Sequence, residues 1–206
     1  MEQAASLAQR SGALSLLSPA VGHVGLPRLS VATLSPVADP TVQQLPSDLV
    51  LTPLTSDGLG KERPIMDWLT TFHLASVVLD PYTNESSWVL RSATRILEQF
   101  RSSHARINFI VTAGADDARA FLGPLTNDFL VFCDADRSAV KAMGLSELPA
   151  FVFTRVDGAV AASAQGWHPN EWAAVADAIA DVTSWTSLDI PAAGDPGAFR
   201  GSPALG

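Results

Sequence analysis

Residues 144–166 constrain the fold of this chain more than any other segment. Two apolar runs, 150–154 and 159–164, lie on either side of Asp157-Gly158. Asp-Gly between apolar runs is a strong signal for a tight turn, because both residues tolerate the backbone conformation that such a turn requires. The segment therefore predicts a β-hairpin, and Pro149 directly precedes its first strand.

A strand–helix–strand unit is predicted upstream of the hairpin. Residues 72–79 and 107–112 are short and almost continuously apolar, which is typical of strands buried on both faces. Between them, apolar residues recur at helical spacing over residues 86–103. The stripe consists of Val89, Ala93, Ile96, Leu97 and Phe100. Parallel strands joined by a helix form a right-handed crossover.

Shorter elements are predicted around the hairpin. Two brief helices precede it, the first capped by Asp116 and the second by Asp134 or Asp136. Residues 129–132 form a further strand or an extended connection. A last helix begins near Pro169, because proline is favoured in the first helical turn. The order predicts an α/β domain whose mixed β-sheet is flanked by helices on both faces.

The two ends of the chain do not follow this pattern. Residues 1–47 are rich in Pro, Ala, Ser and Leu, and five prolines interrupt any long helix there. The other end is rich in Pro and Gly, and no regular structure is expected from Pro191 onwards. We therefore predict an irregular extension at residues 1–47, an α/β domain at 48–188, and an irregular tail at 189–206.

The composition argues against several classes of partner and site. The net charge of -8 repels a phosphate backbone, so nucleic acid is not expected as a partner. No run approaches the roughly 20 apolar residues that cross a bilayer. The first residues, Met-Glu-Gln, do not resemble a secretion signal, so a cytoplasmic location is predicted. The scattered histidines give no metal-ligand spacing, and neither a metal nor another cofactor is expected.

The order of these elements, together with the proline, strand, Asp157-Gly158 turn and second strand of residues 144–166, resembles thioredoxin and the related thiol–disulfide and peroxiredoxin proteins. The resemblance covers about residues 68–185. It implies a thioredoxin-like fold in which a cis peptide bond precedes Pro149. It also implies that the backbone of Leu148 pairs with an extended polypeptide.

The cysteine pair of that family is missing from this chain. In the family, the pair lies where the first strand meets the first long helix, and the helix dipole helps to lower the pKa of the nucleophilic thiol. The corresponding residues 80–88 contain no cysteine, and the whole chain contains one, Cys133. A serine hydroxyl without a base is almost un-ionised near neutral pH. Dithiol–disulfide exchange at this helix start is therefore excluded.

The first functional hypothesis is a non-catalytic, redox-inactive thioredoxin-like protein that binds a polypeptide in the groove beside Pro149. The partner is a protein or peptide, including a second copy of the chain, and enzymatic activity is not expected. The candidate groove residues are Thr83, Asn84, Ser86, Ser87, Leu148, Pro149 and Trp167. Trp88 and Trp172 are weaker candidates, because tryptophans in a small domain mostly fill its core.

The alternative hypothesis is an atypical redox protein or enzyme. Thr83 and Ser86 keep the spacing of the peroxiredoxin threonine and cysteine, so residues 83–87 are either a remnant of a peroxidase site or simply a helix cap. Cys133 ends an apolar run, where a buried structural thiol is expected and a redox role is the alternative. The enzyme would then use Cys133 or the helix start.

Overall fold

The computed structural model of the protein describes residues 42–205. Most of the predicted N-terminal extension, residues 1–41, lies outside the described residues. Within residues 42–205 the strands are β1 (Val50–Thr55), β2 (Gly58–Leu59), β3 (Arg63–Pro64), β4 (His73–Leu79), β5 (Ala105–Val111), β6 (Leu130–Cys133), β7 (Glu147–Leu148), β8 (Ala150–Thr154), β9 (Val160–Gln165) and β10 (Ser202–Pro203). The helices of the same range are α1 (Ile65–Trp68), α2 (Asn84–Gln99), α3 (Ala115–Leu122), α4 (Leu125–Asp128), α5 (Ser138–Ala142) and α6 (Pro169–Thr183).

The main sheet is mixed, as the sequence predicts. Its strands follow the order β2-β1-β6-β5-β4-β8-β9, and β3 also pairs with β1. The central strands β4, β5 and β6 run parallel to one another. On the far side, β8 is antiparallel to β4, and β9 is antiparallel to β8. The α/β fold class is confirmed.

The central strand β4 shows why the sheet is covered on both faces. All of its residues after His73 are buried, and successive side chains point to opposite faces. Ala75 and Leu79 join an apolar cluster with the buried side chains of α2 and α6. Leu74 and Val78 join a second cluster with those of α1 and α5. The near-continuous apolar sequence of β4 is the signature of such a doubly buried strand.

The predicted hairpin is formed by β8 and β9. At its turn, the Gly158 amide donates to the Arg155 carbonyl at 2.9 Å. A carboxylate oxygen of Asp157 accepts a hydrogen bond from the Ala159 amide at 3.1 Å. The hairpin prediction is confirmed, and α6 begins at the predicted Pro169.

The predicted helix caps are only partly correct. Arg137 occupies the cap position of α5. Both predicted candidates still accept first-turn amides: Asp134 from Ala139 and Val140 at 3.0 and 3.1 Å, and Asp136 from Ser138 at 3.2 Å. Asp116 lies in the first turn of α3, and Gly114 occupies the cap position instead. Asp116 still places a negative charge in the first turn of that helix, near its positive end.

Residues 50–68 form β1, β2, β3 and α1, which the sequence analysis missed. Pro53 lies within β1, and a proline inside an apolar run argues against a strand. The structure tolerates it because β1 pairs with β6 on one side and only with the two-residue strands β2 and β3 on the other. The pairing of Thr52 with Cys133 joins residues far apart in sequence.

Both flanks of the predicted domain contact it. Leu45 is buried, and its amide donates to the Gly158 carbonyl at 2.9 Å. At the other end, β10 pairs with β7, so the expectation that no regular structure follows Pro191 is wrong there. The boundaries at residues 48 and 188 stay predictions. Across residues 42–205, no helix has the length and apolar character needed to cross a membrane.

Candidate functional site

The connection between β4 and α2 contains the first half of the candidate site. The Asp80 amide donates to the Ser86 hydroxyl oxygen at 2.9 Å. The Thr83 hydroxyl donates to the Asp80 carbonyl at 3.1 Å and lies 3.2 Å from the Ser86 oxygen. Thr83 occupies the cap position of α2, but its side chain makes no capping bond. Thr83 and the fully buried Ser86 therefore hold the connection in shape.

The first turn of α2 presents side chains to solvent. Asn84 and Ser87 are exposed, and Trp88 is 56% exposed. Tyr82, just before the helix, is 66% exposed, and its hydroxyl donates to an Asp117 carboxylate oxygen at 2.5 Å. Two exposed aromatic side chains thus mark this end of α2.

The Pro149 loop forms the second half of the candidate site. The Leu148–Pro149 peptide bond is cis, the isomer that the resemblance implies. Leu148, Pro149 and Trp167 are all buried. The Trp167 ring packs against Trp172 with ring centroids 5.0 Å apart. The side chains of Leu148 and Trp167 therefore belong to the core.

Residues 196–205, which we name the covering segment, lie on this loop. Strand β10 within it pairs antiparallel with β7, so that Ser202 is opposite Leu148. The Ser202 hydroxyl donates to the Leu148 carbonyl at 3.2 Å, and the Ala204 amide donates to the Ser146 carbonyl at 2.8 Å. The covering segment thus occupies the backbone edge that the resemblance assigns to an extended polypeptide.

Phe199 of the covering segment joins the two halves of the site. Its backbone exchanges two hydrogen bonds with that of Trp167, at 2.8 and 2.9 Å. Its ring meets the ring of Trp88 edge to face, with centroids 5.4 Å apart. The Trp167 indole donates to the Pro196 carbonyl at 2.9 Å. Trp88 and Trp167 therefore contact one and the same segment.

Two glycines allow this close approach of backbones. A Cβ at Gly201 would lie 2.7 Å from the Leu148 carbonyl oxygen, and a Cβ at Gly166 would lie 2.8 Å from the Gly201 nitrogen. Both neighbours are backbone atoms, which cannot turn aside as a flexible side chain does. By contrast, a Cβ at Gly197 would meet no atom within 4 Å.

Arg137 belongs to the site but was missed by the sequence analysis. Its guanidinium pairs with the Asp80 carboxylate at 2.8 Å and donates to the Ala204 carbonyl at 2.5 Å. Asp80 is 4% exposed and Ala204 is fully buried. The sequence hints at such a pair, because Asp80 directly follows an apolar run and a buried aspartate requires a partner. The partner's identity depends on folding, since 57 residues separate the two.

An ion pair lies at the rim of the groove. The Arg200 Nε is 2.5 Å from a Glu147 carboxylate oxygen, and the Gly201 amide donates to the other oxygen at 3.1 Å. The hydrogen bond from Arg200 holds the pKa of Glu147 below its ordinary value. Because the Arg200 side chain is 85% exposed, the pair contributes more to register than to stability.

Asp195 ties the chain just before the covering segment to α2. Its carboxylate accepts hydrogen bonds from the Ala192 amide and from the side chains of Ser92 and Arg95, each at 2.7 Å. Burial raises the pKa of Asp195, but these bonds and the Arg95 charge outweigh it and hold the pKa below its ordinary value.

Cys133 lies at the end of β6, opposite Thr52 of β1. Burial raises the pKa of its thiol, against a smaller opposing influence of the Arg119 charge. The thiolate, which is the reactive form, is therefore scarce near neutral pH. This environment agrees with the expected structural thiol better than with a redox centre.

The start of α2 offers no assembled catalytic group. Ser86 is buried and bonded to the Asp80 amide, and Ser87 is exposed. Among residues 42–205, no histidine bonds to either serine, and no three His, Cys, Asp or Glu side chains lie close enough to hold a metal ion. The peroxidase-like spacing of Thr83 and Ser86 therefore serves the local fold here.

No protein-family model and no curated protein matches the sequence. Solved structures match the fold at low identity. A putative thiol:disulfide interchange protein, DsbE from Chlorobium tepidum, is 12% identical with a TM-score of 0.55, and the match covers 69% of this chain and 99% of that one. The bacterioferritin comigratory protein of Xanthomonas campestris, described for its alkyl peroxide reduction activity, is 14% identical with a TM-score of 0.53 over 71% of this chain and 98% of that one. A hypothetical protein from Sinorhizobium meliloti is 12% identical with a TM-score of 0.54 over 79% and 93%.

These similarities show that the chain has a thioredoxin-like fold, which confirms the prediction made from residues 144–166. Because the chain contains one cysteine, Cys133, it is a thioredoxin-like domain without the paired cysteines of the CxxC motif. Two of these three neighbours, the thiol:disulfide interchange protein and the bacterioferritin comigratory protein, are described in terms of redox chemistry.

Proposed function

We propose that this thioredoxin-like domain is a non-catalytic module that binds a polypeptide partner in the groove beside Pro149. The partner adds as an extended strand to β7, and the exposed end of α2 contacts its side chains. Main-chain hydrogen bonds supply affinity in this mode of recognition, and the flanking side chains supply specificity.

The pairing of β7 with the covering segment is the observation that most supports this proposal. The carbonyls of Ser146 and Leu148 both accept hydrogen bonds from that segment. Glu147, between them, binds the segment through both carboxylate oxygens. An edge that already holds one extended segment has the geometry to hold another.

The exposed aromatic side chains support the same proposal. Trp88 remains 56% exposed even with Phe199 against it. Tryptophan and tyrosine are enriched at binding surfaces, because they bury a large apolar area while ordering few torsion angles. Trp88 and Tyr82 therefore extend the groove along the start of α2.

An atypical redox function of Cys133 is the second candidate, since the fold is shared with redox proteins. The raised pKa of the thiol and its partial burial argue against it. The buried, bonded Ser86 likewise argues against an enzyme at the helix start. Polypeptide binding is therefore the better supported function.

The test is peptide selection on a chain whose groove is open. In the Gly201→Val chain, the new side chain meets the Leu148 backbone, so the covering segment cannot seat. Random 12-residue peptides are selected from a display library on this variant, and their dissociation constants are measured by fluorescence anisotropy. We expect micromolar binders whose affinity falls at least about tenfold on Trp88→Ala or Glu147→Lys.

Leu59→Ala is the matched control for these variants. Leu59 is as exposed as Trp88, at 56%. It lies in β2 at one edge of the main sheet, whereas Pro149 leads into β8, which is next to the other edge strand, β9. Its replacement should leave peptide affinity unchanged. If no library peptide binds the open chain, or if binding is indifferent to Trp88 and Glu147, the proposed function is wrong.

A further inference from the structure

The covering segment meets a different restriction at each of three positions. At the first, the Phe199 ring covers the Trp88 indole edge to face, while its backbone bonds to Trp167. Edge-to-face aromatic pairs add stabilisation beyond the area that they bury. An aromatic side chain at this position therefore fits better than an aliphatic one.

The second restricted position is Gly201. Any Cβ there collides with the oxygen and nitrogen of Leu148, at 2.7 and 3.0 Å, and with the Glu147 Cβ at 2.9 Å. Because Leu148 is fully buried beside Pro149 and the Glu147 amide donates to the Gln165 side chain at 3.0 Å, these atoms cannot retreat. Every residue other than glycine weakens docking at this position.

The third restricted position is Ala204. Its side chain is fully buried in the same apolar cluster as Leu148 and Ala150. Its amide and carbonyl are both bonded, to the Ser146 carbonyl and the Arg137 guanidinium. A larger side chain overpacks this site, since protein interiors leave no room for extra methylene groups.

Two of the positions between these three, Arg200 and Pro203, are permissive. Arg200 and Pro203 are exposed, and Leu205 beyond them is 55% exposed. Specificity is therefore concentrated in an aromatic residue, a glycine two positions later, and an alanine three positions after that.

We propose that the groove selects extended polypeptides with this aromatic–x–Gly–x–x–Ala pattern, and that the covering segment is the built-in competitor for them. This proposal rests on the polypeptide-binding function proposed above. A tethered segment competes at an effective concentration in the millimolar range. The apparent affinity for an external ligand is reduced by the fraction of molecules in which the groove is open.

The test compares one probe on three full-length chains. The probe is a fluorescently labelled peptide with the sequence of residues 196–206, and its binding is measured by anisotropy. We expect it to bind the Gly201→Val chain at least about tenfold more tightly than the unaltered chain. Gly197→Val is the matched control, because the same substitution in the same segment meets open space. That chain should bind the probe as weakly as the unaltered one.

Altered probes test the sequence pattern on the Gly201→Val chain. Probes carrying Phe199→Ala, Gly201→Val or Ala204→Leu should each bind at least about tenfold more weakly. A probe carrying Pro203→Ala should bind within about threefold of the parent. Equal affinity of all the probes would overturn the pattern.

An engineered disulfide tests the competition between the covering segment and the probe without a substitution that displaces the segment. Glu147 and Pro203 are directly paired in the β7–β10 ladder, a geometry that suits a disulfide. In a Cys133→Ser background, the Glu147→Cys/Pro203→Cys chain should bind no probe when oxidised. When reduced it should bind the probe, but more weakly than the Gly201→Val chain does, because the Glu147 carboxylate is missing. Equal binding in both states would overturn the competition.

The two proposals fail in different ways. If library peptides bind the open chain but the probe does not, the pattern is wrong and polypeptide binding stands. If the unaltered chain binds the probe as tightly as the Gly201→Val chain, competition is wrong while binding stands. If neither the probe nor any library peptide binds the open chain, both proposals are wrong.

Discussion

At the residue scale, one ion pair couples the first half of the candidate site to the covering segment. Asp80 follows β4, and Arg137 precedes α5 in a left-handed backbone conformation with φ of 59°. Their side chains are 6% and 20% exposed, so water screens the pair only weakly. Since Arg137 also bonds to Ala204, it couples the start of α2 to the covering segment.

Replacing Arg137 with methionine should lower the free energy of unfolding by about 3 kcal/mol, because it leaves the buried Asp80 carboxylate without a counter-charge. Urea unfolding followed by circular dichroism measures the change. Adding Asp80→Asn to Arg137→Met should recover part of the lost stability, because the uncharged asparagine side chain leaves no unpaired buried charge. Strictly additive losses in the double variant would contradict a direct interaction.

At the element scale, polar contacts join those of Phe199 and Ala204 in holding the segment from Ala192 to Leu205. Two carboxylates anchor it, Asp195 against α2 and Glu147 against Arg200. Both have pKa values below their ordinary values of 3.8 and 4.5. A carboxylate with a lowered pKa stabilises the docked state above its ordinary pKa, and this contribution is lost as pH falls through the lowered value.

The covering segment should therefore stay docked between pH 5 and 7, and its docking should weaken progressively as pH falls below the ordinary pKa values of 4.5 and 3.8. Hydrogen-exchange protection factors for the amides of Phe199 and Ala204 measure docking. These factors should collapse in acid, while those of β4 persist. In Asp195→Asn, protection should already be reduced at pH 7 and change less with pH. The exposed Asp181 provides the control, because Asp181→Asn should change neither the protection factors at pH 7 nor their dependence on pH.

At the scale of the whole molecule, the residues that stabilise the fold are distinct from the residues at the candidate site. The mixed sheet is covered by an apolar cluster on each face. The start of α2, by contrast, contains Ser86 and Ser87 and no thiol. The buried clusters stabilise the fold without any contribution from a disulfide or a thiolate. A fold therefore does not specify the reaction, which depends on the groups at the site.

Dithiol–disulfide exchange should accordingly be absent. The rate at which dithiothreitol reduces insulin, followed by turbidity, should be the same with and without the protein, because one thiol cannot close a protein disulfide. Cys133→Ser should behave identically. An acceleration that disappears in the Cys133→Ser chain would show that Cys133 is reactive after all.

Sequence-based prediction succeeded where interactions are local or where burial dictates composition. The Asp157-Gly158 turn and the apolar run of β4 each depend on neighbouring residues. It failed at β1 and at β10, which both contain proline and each pair with a strand that is distant in the sequence. It also failed to separate the exposed Trp88 from the buried Trp167, because exposure is decided by what packs on a side chain.

Residue types and their spacing alone determined that this chain forms a mixed, helix-covered sheet and that it has no cysteine pair. The periodicity of apolar residues and the count of one cysteine do not depend on long-range contacts. Only the tertiary structure decided that Arg137 meets Asp80 and that residues 196–205 seat beside Pro149. These contacts join segments more than 50 residues apart, and local sequence carries no signal for which distant partner a backbone edge or a buried charge will find.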